Sequence, residues 1–201
     1  MVGRVVLPDD RLEASAFPSV MINCAVCLRK AAVDEVGGFP TEFFRQAEEY
    51  DLSFKLWNAG WSVERFEDLV YRHDKSPGNR APAWIHRLDI RNNLILVHRY
   101  LPTKLRQRLS HDWTQRYQAL AQHAGHTSAA QGGLWEARLW GLREALTGRR
   151  TLSPEAIESI FGYEAQVEAV HAWAARERIR RVIVSDFSKT LYTDRKSTRL
   201  N

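Results

Sequence analysis

The sequence predicts a mixed α/β fold, with a small sheet in the first third of the chain and helices in the rest. Two observations carry this prediction. Short β-prone runs, such as 2–7 and 19–28, alternate with turn residues in the first part. Beyond residue 81, Trp and Leu recur at helical spacing over long stretches that end at Pro or Gly. We therefore expect residues 20–75 to form a small mixed sheet with a helix across it, and residues 81–180 to be almost wholly helical.

Composition limits the class of protein. The chain has 201 residues, of which 44% are hydrophobic, so it can bury a core. No apolar run approaches the roughly 18 residues of a transmembrane helix, and the first residues lack the apolar core of a signal peptide. These features predict a cytoplasmic protein.

The charge is basic, with a net value of +5 from 29 basic and 24 acidic residues. The Arg residues are scattered over several predicted helices, and no helix-turn-helix, zinc-finger or RNA-recognition pattern accompanies them. We therefore predict no nucleic-acid partner. Solvated helix faces explain such a distribution, and peripheral contact with an anionic membrane surface also stays open.

Strand and turn signals define the elements before the central acidic stretch. Residues 2–7 are predicted as a strand and 19–28 as a central strand, and a short helix over 29–36 ends at Gly37-Gly38. Cys24 and Cys27 form a lone C-x-x-C, without the second ligand pair that zinc needs. In a strand their side chains point to opposite faces, so we expect two small buried residues.

The acidic stretch begins a helix predicted over 48–59, which Gly60 ends as a left-handed residue. Glu48, Glu49 and Asp51 lie in its first turn, where free N–H groups and the helix dipole stabilise negative charge. One interpretation is that these acids only complement the helix start. The other is that Phe43 and Phe44, directly upstream, place them at the mouth of an apolar cleft as functional groups.

Further elements follow in order. Strands are predicted at 61–66 and 69–73, and Pro77-Gly78 requires a loop over 74–79. Helices are predicted to about Tyr100, over 103–123 and 129–146, from Ser153 with Pro154 at its first position, and over 164–180. Residues 181–185 are predicted as a buried strand.

The order of several segments resembles the acceptor half of family 2 glycosyltransferases of the GT-A fold. These segments are the Arg-bearing 23–30, the Val-Gly-Gly-Phe turn at 36–39, Phe43-Phe44 and the acidic helix start. The resemblance extends from about residue 23 to about residue 102. The Glu-Asp pair of the family is Glu48-Glu49 here, so the second carboxylate is one methylene longer.

The resemblance implies an inverting transfer of a sugar from a nucleotide-sugar donor to a glycan, lipid-linked or protein acceptor, as in cell-surface polysaccharide synthesis. Glu48, Glu49 and Asp51 would be the catalytic acids. Either Glu48 or Glu49 would accept the proton of the acceptor hydroxyl, whereas Asp51 more often anchors the helix start. His73 would be a metal ligand, and Arg91-Asn92 would pack their helix onto the catalytic half.

The resemblance also implies a division of the chain. No Asp-x-Asp, the family's donor-metal motif, occurs in the sequence, so Mn²⁺ or Mg²⁺ would be held mostly by a missing N-terminal half. Residues 1–80 would form the acceptor side, 81–180 a helical extension, and 181–193 the start of a truncated α/β unit. Independently of the resemblance, the sequence of 194–201 itself predicts a non-native tail. Such a fragment would transfer no sugar alone. The alternative function is an Arg-rich helical module that binds a partner protein or an anionic surface.

Overall fold

The computed structural model describes residues 1–13, 17, 19–74 and 82–181, and all structural statements below refer to these residues. Within them the fold is mixed α/β. Its strands are β1 (Val2–Val6), β2 (Leu12–Glu13) and β3 (Arg65–Arg72). Its helices are α1 (Lys30–Val36), α2 (Glu48–Asn58), α3 (Ala83–Tyr100), α4 (Thr103–His123), α5 (Thr127–Thr147), α6 (Pro154–Phe161) and α7 (Tyr163–Arg176).

The sheet has the order β2-β1-β3, with β1 antiparallel to β2 and parallel to β3. The predicted strand at 2–7 is confirmed, and the two strands predicted after α2 form the single strand β3. A small mixed sheet therefore exists, but it is built from both sides of the 20–60 region and not from that region itself.

The predicted central strand over 19–28 is wrong. Asn23–Ala25 form a 3-10 turn, and beyond it one bridge joins Val26 to Val2. β2 pairs with Val5 and Val6, and β3 pairs with β1 along its other side, so this apolar run contributes only the single bridge at Val2. Its apolar side chains, such as Val20 and Met21, are buried without forming a ladder.

Cys24 and Cys27 are exposed, which corrects the expectation that both are buried.

Helix α2 lies between two hydrophobic clusters. Leu52 and Leu56 pack with Val2, Met21 and Ala32 beneath the sheet. On the other face of α2, Tyr50 and Phe54 enter the larger cluster formed with α3, α4 and α6. The first turn of α2 is thereby held from both sides, and this fixes the position of its acidic residues.

The helical part follows the sequence prediction closely. Helix α4 spans the predicted residues, α5 begins two residues earlier, and the Ser153 hydroxyl caps α6 by accepting a hydrogen bond from the Ala156 amide at 3.1 Å. The last predicted helix ends earlier, at Arg176. Residues 85–175, all described, contain no strand, as predicted.

Some predictions lie outside the described residues. These are most of the 74–79 loop, the strand over 181–185 beyond its first residue, and the assignments of 181–193 and 194–201. Among the helices that the structure describes, none combines the length and apolarity needed to cross a bilayer.

Helices α3 and α5 approach each other closely at Gly133, where an added Cβ would overlap the backbone oxygen of Arg87. Replacing Gly133 by Ala is therefore expected to lower the free energy of unfolding by about 1–3 kcal/mol, because the helices must separate to admit the methyl group. Denaturant unfolding measures this change.

The neighbouring Gly132 is a matched control, because a Cβ there would meet open space. Gly132→Ala is expected to stabilise the protein by up to about 1 kcal/mol through helix propensity. Equal effects of the two substitutions would show that α3 and α5 do not pack as closely as described.

Candidate functional site

The loop that leads into α2 is strained. Phe44, Gln46 and Ala47 have φ values of 59°, 73° and 64°, although none of them is Gly. Each such residue costs about 1–3 kcal/mol, and strain of this kind persists only where surrounding contacts enforce it. Ala47 is also the residue before the helix, so no side chain caps the first turn of α2.

Two residues of α3 enforce this loop conformation. The Asn92 side-chain amide donates to the carbonyl oxygens of Phe43, Arg45 and Gln46 at 3.1, 2.8 and 2.8 Å. Arg91 donates to the carbonyl oxygen of Glu42 at 2.7 Å and to the Asn92 side chain at 2.8 Å. The structural role expected of Arg91-Asn92 is thus confirmed.

Asp51 is the centre of a buried ion-pair network. Its carboxylate has no exposed surface. One oxygen accepts from Arg99 at 2.9 Å and from the Tyr100 hydroxyl at 2.8 Å, and the other lies 2.7 Å from the Lys55 ammonium. A carboxylate so enclosed supports the anchoring role at the helix start that the resemblance more often gives to Asp51, and the assignment of Asp51 as a catalytic acid stays a prediction.

Arg99 connects this network to two further acids. It is 4% exposed and binds Glu42 at 2.7 Å and Glu144 at 2.8 Å, in addition to Asp51. Burial alone would lower the pKa of Arg99, but the hydrogen bonds that Arg99 donates to Glu144 and Glu42 and the charge of Asp51 outweigh it and raise that pKa. Burial raises the pKa of Tyr100, and Asp51 raises it further, so its hydroxyl stays a donor.

Glu48 and Glu49 have different surroundings. One oxygen of Glu48 accepts from the Asn23 amide at 3.0 Å, whereas the other is buried and has no hydrogen-bond partner among the described residues. Glu49 contributes to the electrostatic environment of Tyr117. Burial raises the pKa of Tyr117 in α4, and the charges of Asp89 and, more weakly, Glu49 act in the same direction.

His73 lies directly after β3, where its amide donates to the Val6 carbonyl oxygen at 2.9 Å. Its Nδ1 is 2.6 Å from a carboxylate oxygen of Glu13. One ligand atom each of His73, Glu13 and Cys24 lie within 4.8 Å of one another. A carboxylate, a thiol and an imidazole at this spacing are a donor set for a transition metal. We call these three residues the Glu13–Cys24–His73 cluster.

The cluster is connected to Glu48 through one short turn. Cys24 belongs to the cluster, and its neighbour Asn23 donates to Glu48. The cluster also lies at the carboxyl ends of the parallel strands β1 and β3, the edge at which ligands bind in open α/β sheets. Glu48 and His73, two of the predicted site residues, therefore belong to one region.

Two exposed aromatic rings lie near the strained loop. Phe44 is 84% exposed, and its ring centroid is 6.4 Å from that of Trp84. The Arg45 guanidinium lies 5.8 Å from the Trp84 ring. By contrast, Trp57 donates to the Ser19 carbonyl oxygen and Trp61 to Glu35, so these two indoles have structural contacts. Of Trp57, Trp61 and Trp84, Trp84 is the one on an exposed surface.

A cavity of about 580 Å³ lies near the other end of α2, lined in part by Leu56. Its walls are mainly apolar and include Met21, Leu28, Leu56 and Trp61. None of the predicted site residues Glu48, Glu49, Asp51 and His73 lines this cavity, so the candidate catalytic site is the more open region around Glu48.

Sequence reasoning missed the proximity of Glu13 and Cys24 to His73, and the role of Arg99. Glu13 and His73 are 60 residues apart, and Arg99 and Asp51 are 48 residues apart. No local pattern marks contacts over such separations.

Comparisons of the chain with protein-family models, curated proteins and solved structures find no match.

Proposed function

We propose that the chain supplies the acceptor side of an inverting glycosyltransferase of the GT-A fold, which uses a nucleotide-sugar donor and a glycan, lipid-linked or protein acceptor. The observation that supports this proposal best is the Glu48 carboxylate. One of its oxygens is oriented by Asn23, and the other is buried without a partner at the positive end of α2. Such a carboxylate is placed to accept a proton.

In the proposed reaction, the Glu48 carboxylate takes the proton of the acceptor hydroxyl. The acceptor oxygen then forms a bond to the anomeric carbon, while the bond from that carbon to the nucleotide diphosphate breaks. The diphosphate leaves with the bonding electron pair, and the configuration at the anomeric carbon inverts. The exposed rings of Phe44 and Trp84 would contact the apolar face of an acceptor sugar.

A divalent cation fits the proposal at the Glu13–Cys24–His73 cluster. Mg²⁺ demands oxygen ligands, so the thiol and imidazole of the cluster favour Mn²⁺ over Mg²⁺ and suit Zn²⁺ best. A cation bound there would offset the negative charge of the departing diphosphate.

We expect the chain to bind Mn²⁺ or Zn²⁺ with an affinity that depends on the cluster. Calorimetric titration of His73→Ala and of Cys24→Ser should show at least about a tenfold weaker affinity, because each removes one of three protein ligands. Cys27→Ser is the matched control, since Cys27 is also exposed but lies outside the cluster. Unchanged metal affinity in His73→Ala would show that His73 is not a metal ligand.

The reaction itself is tested on the polypeptide encoded by the complete reading frame. Incubation with nucleotide sugars, Mn²⁺ and candidate acceptors is expected to release a nucleotide diphosphate only when an acceptor is present, with the inverted anomeric configuration in the product. Retention of configuration, or the absence of any nucleotide-sugar binding, would contradict the proposal.

A further inference from the structure

The outer face of α5 carries large apolar residues. Trp135, Leu139, Leu142 and Leu146 are between 50% and 88% exposed. Their spacing places them within an arc of about 60° around the helix, at about 100° per residue. The inner face of α5, in contrast, is formed by small residues: Ala130, Gly133, Ala137 and Gly141. This arrangement is the reverse of an ordinary amphipathic surface helix, whose large apolar residues face the core.

The charges of α5 are sorted between the same two faces. Both of its acids are paired with residues of α3: the half-buried Glu136 with Arg87 and Arg91, and the buried Glu144 with Arg99. Its exposed charged residues are Arg138 and Arg143, which lie on opposite sides of the apolar stripe. Arg149 and Arg150 follow directly after the helix and are exposed too. Among the exposed residues of α5 there is no acid.

We propose that this outer face of α5 binds an anionic membrane surface. The apolar stripe would enter the boundary between headgroups and acyl chains, as in interfacial helices. Arg138 and Arg143 can extend their guanidinium groups to lipid phosphates on either side while their stems stay with the stripe. Trp135 provides the indole that membrane interfaces favour. This proposal does not depend on glycosyl transfer.

Charge complementarity favours a lipid surface over a second copy of the chain. Two such faces in contact would bring Arg residues together, while both acids of α5 are already paired within each copy. Like charges placed opposite one another disfavour that dimer. An anionic bilayer meets the same Arg residues with opposite charge.

Vesicle co-sedimentation of the full chain tests the proposal, with phosphatidylcholine vesicles compared with mixed phosphatidylcholine and phosphatidylglycerol vesicles. We expect binding to the anionic vesicles that weakens as salt is added. Each neutralised Arg, in Arg138→Gln and Arg143→Gln, should weaken the partition coefficient about fivefold. The double variant Leu142→Ser/Leu146→Ser should weaken it by about a hundredfold or more.

Leu120→Ser is the matched control, because Leu120 is an exposed Leu on α4, outside the stripe. It should leave vesicle binding unchanged. Equal binding to neutral and anionic vesicles would contradict the role of the Arg residues. A dimer in solution that the double Leu variant converts to a monomer, with no vesicle binding by the unsubstituted chain, would show that a second copy occupies this face.

Discussion

Replacement of Arg99 by methionine is expected to lower the free energy of unfolding by about 3–5 kcal/mol. Arg99 is almost fully buried and binds three carboxylates, those of Asp51, Glu42 and Glu144. Methionine keeps much of the side-chain volume but leaves these charges without their main partner. Denaturant unfolding at neutral pH gives the size of the effect.

Arg143→Met is the control, since Arg143 is exposed and lies over the ring of Trp140. Exposed cation–π contacts contribute about 0.5–1 kcal/mol, so this variant should lose far less stability. Adding Glu144→Gln to Arg99→Met should recover part of the loss, because it removes a stranded buried charge. Equal losses from the Arg99 and Arg143 substitutions would refute the network as a source of stability.

The same network predicts a pH dependence. Burial acts to raise the pKa of Glu42, but its backbone hydrogen bond and Arg99 outweigh burial and hold that pKa below the ordinary value of 4.5. A lowered folded-state pKa means that this stabilisation is present above about pH 4.5 and is lost as the pH falls further. The stability difference between the unsubstituted protein and Arg99→Met should therefore narrow in that acidic range.

The second large effect is expected at Glu48. In the polypeptide encoded by the complete reading frame, Glu48→Gln should lower kcat by about 10²–10⁴-fold with KM largely kept, because it removes a general base and little else. The amide oxygen can still accept the hydrogen bond from Asn23. The residual activity and the thermal stability of the variant separate a chemical loss from misfolding.

Glu49→Gln is the matched control, because it makes the same change one residue along the chain. With Glu48 as the general base, we expect this variant to keep most of its turnover. Comparable activity in both variants would mean that the acids only complement the start of α2. A loss of turnover confined to Glu49→Gln would identify Glu49 as the base.

The helices could be predicted because their signals are local. Pro102 separates α3 from α4, and Ser153-Pro154 begins α6. Residues that end or begin helices, together with apolar periodicity, were therefore sufficient to predict these helices. The strand predicted over 19–28 was wrong, because strand pairing depends on distant segments that a local sequence pattern does not show. The composition of this run suits a strand, but the segments that pair with β1 over more than one residue are β2 and β3, which precede and follow the run in the sequence.

The acidic residues of α2 also show that local sequence signals do not separate a candidate site residue from a buried structural one. Glu48 and Asp51 share the first turn of one helix and give the same sequence signal. Arg99, on another helix, is what assigns Asp51 to the interior. The strain at Phe44, Gln46 and Ala47 was equally hidden, because positive φ angles are normally marked by Gly, and this loop has none.

The assignment of Glu48 as the base is tested most directly by the pH dependence of sugar transfer, measured for the polypeptide encoded by the complete reading frame and for its Glu48→Gln variant. We expect the transfer rate of the unsubstituted enzyme to change with pH, and the slow residual rate of the variant to lose that pH dependence, because the substitution removes the general base. A Glu48→Gln enzyme that keeps both the pH dependence and most of kcat would contradict the account.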